Sequence, residues 1–175
     1  MEDSPVSWAA RAAALGAKPF DATAGTATLS LLWAGGRGAF DAAGLQRLAS
    51  YLQFATVGSG QRLIVQDEPG EFMLIVLEGT VVIERAPHGV HVSRLAEARP
   101  GDVVGEMAVL DAGPRLSDCT TRTPCVLAVL ETDALARLMK EDAALALVLL
   151  GALARRLSLR LRQVSARLSA LLADA

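Results

Sequence analysis

The apolar positions fall into three regimes along the chain. Between residues 51 and 130 they gather into short runs rich in Val, Ile and Leu, reading RLIV, FMLIVLE, TVVIER, VHVSRL and CVLAVL. Turn-forming residues separate them: QDEPGE, then Gly79, then APHG, then EARPGD. Runs of this length bounded by Gly or Pro predict strands, and their even spacing predicts a small barrel or jelly roll. Gly70, Gly79, Gly89 and Gly101 stand where a tight turn makes a side chain awkward.

After Leu130 the period changes from two to between three and four. Thr132 is placed to cap a helix carrying Leu135, Leu138 and Met139, and Glu141 or Asp142 opens a longer one. Along it Leu150, Leu153, Leu157, Leu161, Val164, Leu168 and Leu171 recur at steps of three or four, close to a heptad seam. Upstream of the strands the chain is rich in Ala and Gly, with a helix expected over Trp8–Leu15 and weak signals up to Gly38. Asp41 then caps a helix reaching about Ser50, with Leu45, Leu48 and Leu52 on one side. The expected organisation is a helical lead-in over residues 1–40, a strand domain with its leading helix over 41–131, and C-terminal helices over 132–175.

Composition narrows the class. A chain of 175 residues holds one domain with a real core, and 52% hydrophobic with 21% charged residues describes a folded globular protein. Only 4% of residues are aromatic, so the core is aliphatic. A net charge of -2 excludes a surface built as a whole for nucleic acid. The start, MEDSPVSWAA, lacks the basic and apolar segments of a secretory signal. The longest apolar stretch, residues 143–154, falls short of the roughly 20 residues that span a bilayer. A cytoplasmic protein without a transmembrane segment is expected, with Cys119 and Cys125 as core thiols. Metal-dependent enzymes on jelly rolls need a cluster of His with a carboxylate, and His88 and His91 in a Gly-bearing turn do not supply one. Neither catalysis nor a metal or resident cofactor is expected. The last helix carries Arg155, Arg156, Arg160, Arg162 and Arg167 with no acidic residue until Asp174. Such a face suits nucleic acid or an anionic membrane, but beside an apolar seam it is read as the solvated margin of a dimer interface.

The stretch VVGEMAVLDAGPRLSDC, residues 103–119, concentrates the chemistry. Gly105 permits close backbone approach, and EMAVL is long enough for one helical turn whose free N–H groups favour an anion. Arg115, tethered through Gly113 and Pro114, can return a planar fork of donors to the same anion. Glu106 would repel a phosphate unless the ligand also offers a hydroxyl. From these residues alone two readings stand: a ligand site, or a mutual Glu106–Arg115 ion pair that steadies a turn.

The same stretch resembles the phosphate-binding cassette of the cyclic nucleotide-binding domain family, whose pattern is Gly-Glu-x-Ala, two apolar positions, a short gap and Pro-Arg. Here it reads Gly105, Glu106, Met107, Ala108, Val109, Leu110, a gap, then Pro114 and Arg115. Upstream, LIVQDEPGEFMLIVLEGTVVI and RPGDVVGE are similar to the family's strand core and its approach to the cassette, so the resemblance covers roughly residues 41–139. It implies a mainly β fold with flanking helices: a jelly-roll-like β-roll of about eight strands plus a long C-terminal helix, as in sensor domains of catabolite activators and of protein kinase A regulatory subunits. It also implies that Glu106 accepts the ribose 2′-hydroxyl, that Arg115 pairs with the cyclic phosphate, and that the amides of Met107 and Ala108 after Gly105 complete the cradle. A helix after Leu130 would lid the base and move on binding. Where the family has a small or hydroxyl residue, then Ala, then Thr or Ser, this chain has Leu116, Ser117 and Asp118. Leu116 lacks the hydroxyl that contacts a guanine, and Ser117 and Asp118 put polar groups near the base edge. The expectation is a sensor module for a 3′,5′-cyclic mononucleotide, cyclic AMP first and other bases open. It would act as a homodimer through its C-terminal helix and serve an effector domain or protein partner. Transcription factors of the family add a helix-turn-helix, and none precedes Ala175. The competing expectation is a domain that keeps the cassette, binds no nucleotide and serves as a dimerisation or interaction scaffold.

Overall fold

Alternating side chains of the aliphatic runs send their apolar atoms to two opposite faces, and the fold buries both. The computed structural model describes residues 5–34, 40–86 and 93–173. In chain order the elements are α1 (Trp8–Leu15), β1 (Lys18–Pro19), α2 (Ala22–Trp33), α3 (Ala42–Ala49), β2 (Gln53–Val57), β3 (Arg62–Ile64), β4 (Phe72–Glu78) and β5 (Val81–Arg85). They continue with β6 (Ser93–Ala98), β7 (Val103–Val104), α4 (Glu106–Asp111), β8 (Asp118–Thr121), β9 (Cys125–Glu131), α5 (Thr132–Glu141) and α6 (Ala143–Ala173). One sheet runs β1-β2-β9-β4-β7 and the other β3-β8-β5-β6, all strand pairs being antiparallel. The expected β-roll with flanking helices is the observed architecture. Its nine described strands include the two-residue β1 and β7.

Strands β4 and β9 explain the near-continuous apolar runs. Phe72, Leu74 and Val76 with Leu127 and Val129 point between the sheets, where they meet Leu63, Ile64, Val81, Cys119 and Trp8. Met73, Ile75 and Leu77 with Ala128 and Leu130 point the other way, onto Leu29, Trp33, Leu45, Leu48, Leu135, Leu138, Leu145 and Leu149 of the helices. A strand buried on both faces loses the polar alternation of a half-exposed one.

Helix α1 lies where the sequence predicts it, started by Ser7, whose side chain accepts from Ala10 N, and ended by Gly16 at φ +61°. Asp41 caps α3 as expected. Helix α2, in a region of weak signal, is capped by Asp21 and secured by the burial of Leu29 and Trp33. Thr132 does not cap α5: Glu131 holds that position, and Thr132 is the first helical residue, its amide and hydroxyl both donating to Glu71 O. Asp142 opens α6, accepting from Leu145 N at 3.0 Å. Gly79 and Gly101 adopt φ +87° and +93°, as turns of this kind require. Gly89, His88, His91 and the start of the VHVSRL run lie outside the described residues. Both cysteines are buried free thiols, and burial pushes Cys119 up to about 12.

The seam of α6 is divided. Leu145, Leu149 and Leu153 belong to the core, Leu150 and Leu157 are half-buried, and Leu161, Val164 and Leu168 are exposed. A helix of 31 residues is about 46 Å long, whereas a seven-residue strand such as β4 spans roughly 23 Å. Its far half therefore runs past the sheet. Among the described residues no helix is long and apolar enough to cross a membrane.

Candidate functional site

The cassette is a crossing between the two sheets. Strand β7 ends at Val104, Gly105 turns the chain at φ +78°, α4 makes its short helix, and Ala112 at φ +55° ends it. The chain then passes Pro114 and Arg115 before entering β8. Backbone bonds seat Arg115 on the turn preceding β4: its N–H donates to Glu68 O and Asp67 N donates to its O, each at 2.9 Å.

The Arg115 side chain folds inward rather than into solvent and is 2% exposed. Its Nη1 donates to Gly105 O at 2.8 Å, and its Cζ lies 4.7 Å from the centroid of Phe72. Trp8 meets the same ring edge-on at 5.4 Å, so α1 supports Phe72 while Phe72 supports the guanidinium. Gly70 serves close approach rather than a special turn: a Cβ there would lie 2.1 Å from Arg115 Nε and 2.4 Å from Nη2. Burial pulls the guanidinium below the usual arginine value, opposed by the nearby Glu68 carboxylate. Nε and Nη2 are buried and have no hydrogen-bond partner among the described residues.

Glu106, 4% exposed, is the first residue of α4. The mutual Glu106–Arg115 pair is not formed. The ion-pair partner of Glu106 is Arg160 of α6, whose Nη1 donates to Oε1 at 2.9 Å and whose Nη2 donates to Val103 O at 3.2 Å. The arginine face of that helix is therefore not simply a solvated margin. Of the remaining expected site residues, Ala108 is buried, Met107 and Leu116 are exposed, and Ser117 and Asp118 are half-buried. Asp118 Oδ1 accepts from Gln66 N at 2.8 Å, and its other oxygen lies 3.8 Å from Arg62 Nη2.

The fold thus brings Gly105, Glu106 and Arg115 together from one crossing and adds Gly70, Phe72 and Arg160, which the sequence pattern did not single out as site residues. The i, i+4 spacing of Arg156 and Arg160 was a legible signal that both face one way, but nothing local indicated what they face. A buried guanidinium with two unengaged donors, beside a buried carboxylate, is suited to a ligand that joins an anion to a hydroxyl.

Known proteins resemble this chain in sequence and in fold. The Cyclic nucleotide-binding domain family profile matches residues 55–142. A CRP-like cAMP-activated global transcriptional regulator of Mycobacterium tuberculosis is 34% identical over 111 residues, covering 63% of this chain and 49% of that protein. The chain spans about half the length of the curated relatives it matches. A cyclic nucleotide-binding domain from Methylobacillus flagellatus has the same fold, with TM-score 0.80, 24% identity and 86% coverage of both chains. The catabolite activator protein of Thermus thermophilus superposes with TM-score 0.63 at 27% identity, covering 74% of this chain and 59% of that one. Its cassette, its β-roll and a profile match over half its length together make this chain a member of the cyclic nucleotide-binding domain family, as a regulatory domain.

Proposed function

We propose that the chain binds a 3′,5′-cyclic mononucleotide through Glu106 and Arg115, cyclic AMP foremost, and passes the event to an effector through α6. The carrying observation is the Arg115 guanidinium, 2% exposed with Nε and Nη2 unpartnered among the described residues. Buried donors are rarely left unmatched, and a phosphate accepts two of them at once. Glu106 receives the ribose 2′-hydroxyl, and the amides of Met107 and Ala108 complete the cradle behind Gly105. The preference for cyclic AMP draws on the mycobacterial relative, described as cAMP-activated. Residues 1–40 form the lead-in, 41–131 the binding roll, and 132–175 the output helices of a cytoplasmic regulatory module.

A thermal-shift panel of cyclic AMP, GMP, CMP and UMP tests the binding. Ligand at 100 times its dissociation constant stabilises by about 2.7 kcal/mol, a rise of roughly 5–10 °C for a domain of this size. No shift with any of the four identifies the chain as a scaffold that keeps the cassette without its ligand. Leu116, Ser117 and Asp118 set the base preference in this reading. Leu116→Thr is expected to raise the relative affinity for cyclic GMP, and an unchanged ranking across the panel would assign base choice to another part of the molecule.

The far half of α6 is proposed as the homodimer interface. Leu161, Val164, Leu168 and Leu172 are exposed at steps of three or four, Leu161 at 67%, and pairing with a second copy buries that stripe. Sedimentation velocity is expected to show a dimer at micromolar concentration. A monomer at high micromolar concentration removes the interface from the proposal.

A further inference from the structure

Helix α6 grips the approach to the cassette with two arginines one turn apart. Arg156 lies with Cζ 4.4 Å from the Trp33 ring centroid and donates from Nη2 to Gly101 O at 3.2 Å. Trp33 Nε1 donates to the same carbonyl at 3.0 Å. Arg160 reaches Val103 O and the Glu106 carboxylate. The output helix is thus fastened at residues 101, 103 and 106, directly upstream of and inside the segment that is to hold the ligand. Of these anchors only the one to Glu106 engages a group that the ligand also needs.

We propose that Arg160 sets the affinity of the nucleotide site by occupying Glu106, so that ribose capture and release of α6 from the cassette are a single exchange. The proposal rests on Glu106 as the ribose acceptor. With Arg160 in place the Glu106 residue is 4% exposed, which leaves almost no surface for a hydroxyl to approach. A buried carboxylate without any donor is costly, so the guanidinium and the hydroxyl replace one another rather than leaving the group bare. The Arg160 side chain is 43% exposed and has solvent to move into. While it holds Glu106, the binding-competent fraction is reduced, and the apparent dissociation constant rises by the same factor. By reciprocity the ligand weakens the hold on α6 as strongly as that hold weakens the ligand.

The test compares the full chain with Arg160→Ala, Glu106→Ala, the double variant, and Arg162→Ala as a control that removes a neighbouring cation from the same helix. Hydrogen exchange without ligand should rise in residues 156–173 in Arg160→Ala, and by less in Glu106→Ala, which leaves the Arg160 bond to Val103 O in place. The double variant should add nothing beyond Arg160→Ala, because the Glu106 contact is already broken there. Calorimetric titration with cyclic AMP should show Arg160→Ala binding about tenfold tighter than the parent, within the usual range of such couplings, and Arg162→Ala unchanged. Arg160→Lys should lie between. Unchanged exchange in Arg160→Ala overturns the contact. Equal or weaker binding in that variant overturns its competitive role, weaker binding marking Arg160 as a ligand contact instead. If no variant binds cyclic AMP or another cyclic mononucleotide, the site assignment fails and the affinity role falls with it. The exchange data distinguish that case from a failure of the Arg160 contact.

Discussion

Replacing Arg115 by Ala is expected to weaken cyclic nucleotide binding by about 2–5 kcal/mol, roughly thirtyfold to several thousandfold. The guanidinium is buried, only its Nη1 is engaged, by Gly105 O, and Nε and Nη2 have no partner among the described residues, so a phosphate can take two parallel bonds from it. Stability should change less than affinity. Truncation removes two buried unpaired donors along with one hydrogen bond to Gly105 O, and losing an unmatched buried charge offsets much of the lost packing. Arg115→Lys keeps the charge without the fork and should recover only part of the affinity. Gly70→Ala, whose Cβ would meet Nε at 2.1 Å, should reproduce the Arg115→Ala phenotype by displacing an intact guanidinium. Calorimetry measures all three, and parental affinity in Arg115→Ala would remove the phosphate from this site.

Phe72→Ala is expected to give the largest loss of stability, about 3–5 kcal/mol. That corresponds to a fall of roughly 6–20 °C in Tm for a chain of this size. The ring is fully buried between the sheets, with Trp8 edge-on at one side and the Arg115 guanidinium over it. Truncation opens a cavity and removes both ring contacts at once. Phe72→Leu keeps most of the apolar volume but not the aromatic face, so it should cost less stability while still loosening Arg115. Thermal unfolding followed by circular dichroism checks the first claim and ligand titration of Phe72→Leu the second. A loss under about 1 kcal/mol in Phe72→Ala would show that the two sheets close over the missing ring.

Much of this was legible along the chain. Helix α1 was expected over its observed residues, α3 announces itself by Asp41 and the apolar positions that follow, and the strands around Phe72–Glu78 and Cys125–Glu131 by length and bounding Gly or Pro. The pattern from Gly105 to Arg115 is contiguous, so its helical turn and returning arginine could be read before any fold was known. Other elements carry almost no local signal. Strand β7 has two residues, β8 reads DCTT, and α2 is rich in Ala, Thr and Ser, so each depends on a neighbour for its burial.

What the sequence by itself determined was therefore the kind of fold and the position of its cassette, because strand alternation, helix caps and a contiguous motif are all local. Tertiary structure alone decided which groups meet the cassette. Gly70 and Phe72 come against Arg115 only once β4 lies beside β7. Arg160 reaches Glu106 across 54 positions because the first half of α6 is pinned by Leu145, Leu149 and Leu153 in the core. Along that seam Leu153 thus lies in the core, Leu150 and Leu157 are half-buried, and Leu161, Val164 and Leu168 are exposed, because the helix outruns the sheet at a boundary set by the dimensions of the fold and not by any residue in the repeat.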